Sequence, residues 1–345
     1  MSEPRRPLVL LLAFGHGLND CIAGFFLGRL VQIESSIVQA GLGLFMYNVL
    51  AFGGQYPVAL WLEKLGKPRQ VLLLAYALNA AAIGLFFFTP QLPVLLAGIA
   101  SALYHVAGGS VCAKENRSTN IGVFAAPGVA GLIFGGYAAH AGLDLLPWLL
   151  GTAMLMLFML NRFRFPIGGV SDDNNPRAFH LDRHDLVMIL LLTVIALRSV
   201  IWNLFQLIHD REYEWLLAIA GAAFAGKIIG GWVADRIGWK LYVYLSLATA
   251  TPLLTFFRKD LVLFCIGIAL LQSGIPATTS LLIQSTKGKT ERAVALSFGT
   301  AIILGAVIFY TPYREHLFGE VAVVGIALSM TLLFLLATGR LRRST

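Results

Sequence analysis

Successive apolar runs of about 20 residues constrain the fold of this chain more than any other feature. A helix of that length crosses the roughly 30 Å hydrocarbon core of a bilayer, rising about 1.5 Å per residue. Hydrophobic residues make up 57% of the chain and charged residues 13%, and the mean hydropathy is +0.76. A soluble protein needs more polar surface, and barrel strands give only alternating segments of about 10 residues. The sequence therefore predicts an all-α integral membrane protein.

The apolar runs divide into twelve predicted spans, six on each side of one long polar segment. Residues 162–184 are rich in Gly, Asp, Asn and Pro, which favour a linker. We therefore predict a six-helix bundle at 1–161, a cytoplasmic linker at 162–184 and a second six-helix bundle at 185–345. Only a very short turn near Asp144 separates the fifth and sixth spans. The predicted spans are 8–30, 37–62, 70–88, 93–113, 119–142, 144–161, 185–207, 213–234, 241–257, 261–284, 292–310 and 317–337.

The net charge of +8 raises the question of an anionic partner such as nucleic acid. With the N-terminus in the cytoplasm, most of the 26 Lys and Arg residues fall on cytoplasmic segments, which is the positive-inside pattern. That distribution explains the charge without nucleic acid. It predicts a multi-pass protein of the cytoplasmic (inner) membrane with both termini in the cytoplasm. The exceptions to the pattern are Arg29, Arg211, Arg258, Lys259 and Arg314 outside, and Arg198 and Lys227 within spans.

The sequence predicts no metal site, no cofactor and no catalytic residues. Cys21, Cys112 and Cys265 show no paired spacing, so neither a disulfide framework nor a cysteine-ligated metal is indicated. There is no phosphate-binding loop with Lys-Ser or Lys-Thr and no His-Glu-x-x-His motif. The N-terminus shows no convincing cleavage site, so we expect the first span to remain as an anchor. An enzyme is therefore not expected.

Two short charged loops stand at matching places in the two parts of the chain. One constant offset places Gly66 on Gly238, and the loop Lys114–Asn120 on Thr286–Arg292. Internal repeats of this kind are typical of secondary transporters, whose substrate sites lie at the repeat interface near the midplane. The pattern narrows function to moving something across a bilayer.

The second of these loops resembles the signature motif of the major facilitator superfamily. Its matching residues are Gly231, Asp235, Arg236, Gly238 and Lys240. The first loop keeps Glu63, Lys64 and Gly66 but lacks the leading glycine. The resemblance implies two six-helix halves that move by alternating access, with these loops as conformational gates. Because the second copy is complete, we expect a tighter latch at Asp235 and Arg236 than at Glu63 and Lys64.

Three further segments resemble fosmidomycin-resistance-type members of that superfamily. They are His16–Asp20 in the first span, Tyr104–His105 in the fourth and Leu197–Ser199 in the seventh. The proline that usually follows the histidine is Val106 here, so no drug specificity is carried over.

Four polar side chains lie at similar depth in predicted spans 1, 4, 7 and 10. They are Asp20, His105, Arg198 and Gln272. A charged side chain at the bilayer centre costs roughly 2.5–3.5 kcal/mol on insertion scales, which makes it a functional candidate. The resemblance implies that these four spans line a central cavity, so we predict one shared site at this level.

His16 and Asp20 are four residues apart and therefore share one face of a helix. A carboxylate in a low-dielectric cavity, beside an imidazole, can relay protons near neutral pH. We predict that Asp20, His16 and His105 couple transport to protons. Two alternatives stay open here. Asp20 can instead bond a neighbouring helix or pair with Arg198, and the histidines can be satisfied packing residues.

The predicted substrate-binding residues are Arg198, Trp202, Asn203, Gln272 and Tyr104. Arg198 keeps its proton, and its guanidinium fork suits a carboxylate or phosphate on a cargo. Trp202 lies one turn further along the same helix, where packing is the alternative role. Lys227 is left between the cavity floor and snorkelling or internal pairing.

These features predict a proton-coupled secondary transporter of a small organic solute, with a lean toward an anionic one. The expected partners are the solute, protons and the lipid bilayer, and the expected state is a monomer. A polyspecific drug exporter is the alternative, for which Phe14, Phe25 and Phe26 would suit an apolar cavity. A non-transporting membrane module is a third class, which solute flux in proteoliposomes would exclude.

Overall fold

The computed structural model describes residues 6–34, 36–89, 91–165, 183–208, 212–286 and 288–341. Within these ranges the chain forms helices joined by short turns, without a strand. The predicted linker at 162–184 falls almost entirely outside the described residues, so its boundaries stay a prediction. Residues 6–165 are called the first half below, and residues 183–341 the second half.

The described residues form fourteen α-helices, seven in each half. The first half contains α1 (Arg6–Ile33), α2 (Ile37–Asn48), α3 (Gln55–Leu65), α4 (Pro68–Leu85), α5 (Gln91–Ala113), α6 (Ser118–His140) and α7 (Leu146–Arg162). The second half contains α8 (Arg183–Ile208), α9 (Tyr213–Ile237), α10 (Trp239–Phe256), α11 (Leu261–Ser285), α12 (Thr290–Ala295), α13 (Ala301–Val307) and α14 (Glu320–Leu341). One π-helix (Val49–Gly53) joins α2 to α3, and another (Leu296–Thr300) joins α12 to α13.

Nine helical segments in the described ranges are long and apolar enough to cross a membrane. Of the other three predicted spans, 37–62 is interrupted by the first π-helix, 144–161 corresponds to the shorter apolar α7, and 241–257 corresponds to α10. A turn at 141–145 separates α6 from α7, which confirms the break predicted near Asp144. The protein is therefore an all-α integral membrane protein, and twelve spans are consistent with its helices.

The two charged loops are tight turns at one end of the bundle, called the motif side below. Gly66 ends α3 with a φ of 63°, and Gly238 ends α9 with a φ of 95°. A Cβ disfavours these positive φ values, so a glycine lets one helix stop and the next begin within two residues. Pro68 then opens α4, where its missing N–H removes no helical hydrogen bond. The repeat in the sequence is thus a repeat of local backbone structure.

The halves meet along two seams. In one seam α6 packs along α9 and α11, and in the other α3 and α5 pack against α12. At the motif end of the first seam, Gly231 lies so close to Ser118 that an added Cβ would collide with the Ser118 backbone. Small residues allow helix backbones to approach this closely. Packing between the halves therefore explains why this motif position is a glycine.

The second seam carries both π-helices, which contact each other. A π-helix releases backbone carbonyls from the regular i→i−4 pattern. Here the Gln55 side chain, which is buried, donates through Nε2 to the carbonyls of Ala51 and Phe298, each at 3.0 Å. One amide therefore ties the irregular backbone of the first half to that of the second.

Candidate functional site

A cavity of about 360 Å³ lies between the halves. This volume falls in the range of small-molecule sites, roughly 300–1,000 Å³. Its charged and imidazole side chains come from α1 and α5 on one side and from α8 and α9 on the other. The sequence-predicted site residues that line it are His16, Asp20, His105, Arg198, Trp202, Asn203 and Gln272. Side chains predicted from four separate spans therefore share one cavity.

His16, Asp20 and His105 form a buried cluster on the wall of this cavity. His16 and Asp20 share a face of α1, and the His16 Nε2 lies 3.2 Å from the Asp20 Oδ2. His105 comes from α5, and its Nε2 lies 2.8 Å from the His16 Nε2 and 3.7 Å from the Asp20 Oδ2. Asp20 retains only 8% of its exposure. The three polar groups therefore converge on one point, shielded from bulk water.

The hydrogen bonds of the two histidines determine where their protons lie. The His16 Nδ1 is 2.7 Å from the Phe124 carbonyl oxygen, and the His105 Nδ1 is 2.7 Å from the Ser101 carbonyl oxygen. A carbonyl oxygen only accepts, so each Nδ1 carries the hydrogen and each neutral ring presents a lone pair at Nε2. These two lone pairs and the carboxylate repel unless a proton or another cation lies among them. The cluster is thus arranged to hold positive charge.

Residues that the sequence reasoning missed hold the cluster in place. The Asn79 Nδ2 donates to the Asn19 Oδ1, and the Asn19 Nδ2 donates to the Asp20 Oδ1, both at 2.9 Å. An amide inside predicted span 3 is the signal that would have indicated Asn79. On α6, a Cβ added to Gly128 would lie 2.5 Å from the His16 Nε2 and 2.6 Å from the Asp20 Oδ2. A glycine at 128 therefore keeps the approach to the cluster open.

Arg198 lies on α8 with 1% exposure, and it lines the same cavity. None of its three guanidinium nitrogens has a hydrogen-bond partner within the described ranges. The pairing with Asp20 that the sequence left open is not present, because Asp20 is engaged by the histidines. A buried charge without a partner is strongly disfavoured. An anion entering the cavity would supply the missing partner.

Lys227 gives the cavity a second cation. Its side chain, which extends from α9, is 8% exposed, and its Nζ donates to the Ala125 carbonyl on α6 at 3.3 Å. Snorkelling to the membrane surface, one of the alternatives left open by the sequence, does not occur, because the side chain is buried. The other two alternatives are both observed, because the side chain lines the cavity and its ammonium contacts a backbone carbonyl of the opposite half.

The remaining predicted binding residues divide into two groups. Trp202, Asn203 and Gln272 line the cavity, and the Asn203 Nδ2 donates to the Ser199 Oγ at 3.3 Å. Tyr104 does not line it. It is fully buried between helices, and its hydroxyl donates to the Leu12 carbonyl at 2.9 Å. Consecutive residues of a helix point about 100° apart, so the side chain next to His105 faces α1 instead of the cavity.

The phenylalanines considered for a drug-export cavity lie elsewhere. Phe14 is 56% exposed on the outer surface of the bundle, and Phe25 and Phe26 are fully buried, with Phe26 stacked on Phe86. None of the three lines the cavity. The apolar part of the cavity lining comes instead from other residues, among them Phe52, Phe298 and Phe309.

On the motif side, Asp235 joins the halves by capping a helix of the opposite half. Its Oδ1 accepts from the Ser118 backbone N–H at 2.9 Å, and its Oδ2 accepts from the Thr119 N–H at 2.8 Å. The Thr119 hydroxyl and the Trp239 indole N–H add two further bonds. A carboxylate is stabilised at the N-terminus of α6 by its orphan N–H groups and by the helix dipole.

Glu63 forms the equivalent contact in the other direction. The Arg292 Nε and Nη2 both donate to its carboxylate, at 2.7–3.0 Å, in a bidentate pair between the first half and α12. The expectation that this loop forms the looser latch stays a prediction, because both acidic groups make short, charge-assisted hydrogen bonds to the opposite half. Arg292, the partner of Glu63, lies on α12 and outside the charged loop, so the sequence of the loop alone did not indicate this pair.

The basic residues of the two motifs contribute less to joining the halves. The Arg236 guanidinium stacks over the Trp232 ring of its own helix, 3.5 Å from its centroid. Lys64 is exposed at the end of α3, and Lys240 lies partly exposed in the first turn of α10. The acidic member of each motif, Asp235 or Glu63, bonds directly to the opposite half. A further basic residue, Lys114, lies in the turn between α5 and α6. Burial lowers its pKa, and the Glu291 carboxylate opposes this change.

The other end of the cavity, opposite the motif side, is bridged by neutral groups. The Asn48 Nδ2 donates to the Tyr310 hydroxyl at 2.8 Å, and Phe45 packs edge-on against the Tyr310 ring. His140 of α6 stacks on Tyr213 of α9 with ring centroids 4.3 Å apart. Charged contacts thus close one side of the cavity and weaker contacts narrow the other.

The fold matches known proteins along nearly its whole length. The Major Facilitator Superfamily profile matches residues 9–312. The fucose:proton symporter FucP of E. coli superposes with a TM-score of 0.67 at 16% identity, covering 97% of this chain and 98% of that one. A FucP structure in the outward conformation gives a TM-score of 0.70 at 15% identity, covering 97% and 99%.

Two further solved structures share the fold. The human organic anion transporter MFSD10 has a TM-score of 0.67 at 16% identity, covering 98% of this chain and 100% of that one. A bacterial homologue of the iron transporter ferroportin, in the outward-facing state, has a TM-score of 0.61 at 14% identity, covering 97% and 98%. A search of curated protein sequences gave no match. With its twelve-span helical fold and the family profile, this secondary transporter belongs to the Major Facilitator Superfamily.

Proposed function

We propose that this transporter carries a small organic anion by alternating access and couples that movement to protons. One observation carries the proposal. A single cavity between the halves contains both a buried Arg198, which has no hydrogen-bond partner among the described residues, and the convergent acceptors of His16, Asp20 and His105. The guanidinium of Arg198 would bind an anion, and the acceptors of the cluster would bind a proton. The cavity therefore offers a binding group for the cargo and another for the coupling ion.

The charges of the cavity support an anionic cargo. Arg198 and Lys227 supply two cations, and Asp20 is already engaged by imidazole. A carboxylate on the cargo suits the guanidinium fork, which donates two parallel hydrogen bonds. Trp202, Asn203 and Gln272 offer an aromatic face and neutral amides for the rest of a small solute. MFSD10, which shares the fold, is an organic anion transporter, and this agrees with the proposed cargo class.

The histidine–aspartate cluster supports proton coupling. With both rings neutral and the acid ionised, the two Nε2 atoms and the carboxylate are all acceptors. One additional proton would allow them to hydrogen-bond to one another. Loading that proton from one side and releasing it to the other would couple the cycle to the proton gradient. FucP is named as a proton symporter, which agrees with this reading. The closer likeness to fosmidomycin-resistance-type carriers stays part of the proposal, because the segments that carry it include His16, Asp20, His105 and Arg198.

The latches support alternating access and suggest an orientation. The positive-inside distribution would place the motif side and both termini in the cytoplasm of a cell whose inner membrane holds the protein. The contacts of Asp235 and Glu63 then close the cytoplasmic side in this state. Breaking them would let the halves rock apart there, while the Asn48–Tyr310 contact closes the other side. We propose that the monomer performs this cycle.

The test is flux into proteoliposomes containing the purified protein. A panel would pair small carboxylates with their neutral amides and with cationic amines, under an imposed pH gradient. We expect pH-driven accumulation of one or more carboxylates and its collapse on addition of a protonophore. Transport confined to neutral or cationic solutes would reject the anion assignment. A broad range of apolar substrates, or resistance of cells to many drugs, would favour the polyspecific exporter.

A further inference from the structure

The histidine–aspartate cluster has the composition and geometry of a metal-binding site. Its ligand atoms, the Nε2 of His16, the Nε2 of His105 and the Oδ2 of Asp20, lie within 4.8 Å of one another. We propose that these three atoms bind a divalent transition-metal ion at the wall of the cavity. The proposal goes beyond proton-coupled anion transport, and it does not depend on the identity of the cargo.

The donor atoms are already in the form that a metal needs. Metal-ligating histidines coordinate through an unprotonated nitrogen and donate the other N–H to a carbonyl or carboxylate. His16 and His105 both do so, through Nδ1 to the Phe124 and Ser101 carbonyls. Two backbone carbonyls on different helices thus fix both tautomers. Neither ring has to change its tautomer before it binds an ion.

The separations of the donor atoms fit one ion. They are 2.8 Å, 3.2 Å and 3.7 Å. A point equidistant from three atoms at these separations lies about 1.9 Å from each, close to the 2.0–2.2 Å of zinc–imidazole and zinc–carboxylate bonds. An ion slightly above the plane of the donors would reach ordinary bond lengths with little movement.

Space for the ion and its remaining ligands is available beside Gly128. A Cβ at that position would lie 2.5 Å from the His16 Nε2 and 2.6 Å from the Asp20 Oδ2, so even a methyl group would intrude on the ion. Gly128 and the three donors all line the cavity. A bound ion would therefore keep coordination positions open to water or to a solute.

The carboxylate is also supported. The Asn19 amide holds the Asp20 Oδ1 and leaves the Oδ2 for the ion, and Asn79 in turn holds Asn19. Outer partners of this kind orient ligands and raise metal affinity. Two imidazoles with one carboxylate suit Zn²⁺, Co²⁺, Fe²⁺ or Ni²⁺, whereas Mg²⁺ and Ca²⁺ prefer oxygen ligands only. The class of ligand is therefore a transition metal.

The test measures Zn²⁺ binding to the full chain in detergent, after tag removal and chelator treatment, by equilibrium dialysis with metal analysis. We expect one Zn²⁺ per chain, displaced by Co²⁺ with the absorption bands of a histidine-ligated cobalt site. Since outer-shell changes alone cost 10–100-fold, His105→Asn and Asp20→Asn should weaken binding by at least about 100-fold. His184→Gln, which alters an exposed histidine at the start of α8, should bind like the parent.

Gly128→Ala provides a second variant that keeps all three ligands. Its methyl group should lower affinity strongly, and this variant decides the matter if the ligand variants do not fold. Absence of stoichiometric Zn²⁺ binding, or binding that persists in Gly128→Ala and the folded ligand variants, would overturn the metal site. pH-driven flux in chelator-treated liposomes tests the transport proposal separately, so either proposal can fail while the other stands.

Discussion

The Nε2 atoms of His16 and His105 lie 2.8 Å apart, although the two residues belong to different helices and are 89 positions apart in the chain. Both Nδ1 atoms donate to backbone carbonyls, so the two Nε2 atoms face each other as acceptors beside the Asp20 carboxylate. Buried acceptors that face one another in this way are costly, and a cation among the three groups would relieve the repulsion. The proposed proton coupling and the proposed metal site both follow from this contact.

Asp20→Asn should abolish pH-driven accumulation and preserve exchange of cargo. The amide cannot carry the proton whose movement drives accumulation, but it keeps the shape of the site and the contact with Asn19. Uphill uptake and counterflow in proteoliposomes would be measured on the same preparation. Intact accumulation in this variant would remove Asp20 from the coupling mechanism.

Arg198→Gln should raise the concentration for half-maximal transport of an anionic cargo by about 10- to 100-fold. Hydrogen bonds to charged groups contribute about 1.5–3 kcal/mol, and this guanidinium has no other partner in the described structure. Uptake of the carboxylate and of its neutral amide would be compared. An equal effect on both solutes would show that Arg198 acts on the fold and not on the anion.

Gly231→Ala should prevent full closure of the motif side, whereas Gly221→Ala on the same helix should not. The added methyl group at 231 collides with the Ser118 backbone, but at 221 it meets no heavy atom within 4 Å in the described structure. Closure would be measured by the distance between spin labels at Lys67→Cys and Ile237→Cys, without the native cysteines. Identical distance distributions for the two glycine variants would contradict the role of this close contact.

Reversing the charge of either Glu63 or Arg292 should weaken closure of the motif side, and exchanging both residues should restore it. Glu63→Arg or Arg292→Glu places like charges together, and we expect the motif side to open and transport to fall. The double variant regains an opposite-charge pair. Transport and the same spin-label distance would be followed in all three variants, and failure of the double variant to recover either would argue against a latch.

Tyr104→Phe should leave the affinity for cargo unchanged and lower stability slightly. Its hydroxyl bonds the Leu12 carbonyl and does not reach the cavity, so its loss is expected to cost about 0.5–1.5 kcal/mol. Thermal unfolding and uptake kinetics would separate the two effects. A change in cargo selectivity with unchanged stability would return Tyr104 to the binding site.

The membrane class, the helical spans, the repeated loops and the depth of the polar residues could be predicted from the sequence alone. Hydrophobic length and spacing along one helix are local properties, so Asp20, His105, Arg198 and Gln272 could be assigned to one level of the membrane before any helix was packed. The shared face of His16 and Asp20 followed in the same way from a spacing of four.

Which side chains meet depends on how the helices pack. Depth does not determine the direction in which a residue points, so Tyr104 turned away from the cavity while its neighbour His105 turned toward His16. The sequence also did not indicate which groups of distant helices pair with the acidic residues of the loops. Glu63 pairs with Arg292, and Asp235 bonds to the N-terminus of α6. The angular orientation of each helix and its choice of neighbour arise from packing across the bundle, which no single span encodes.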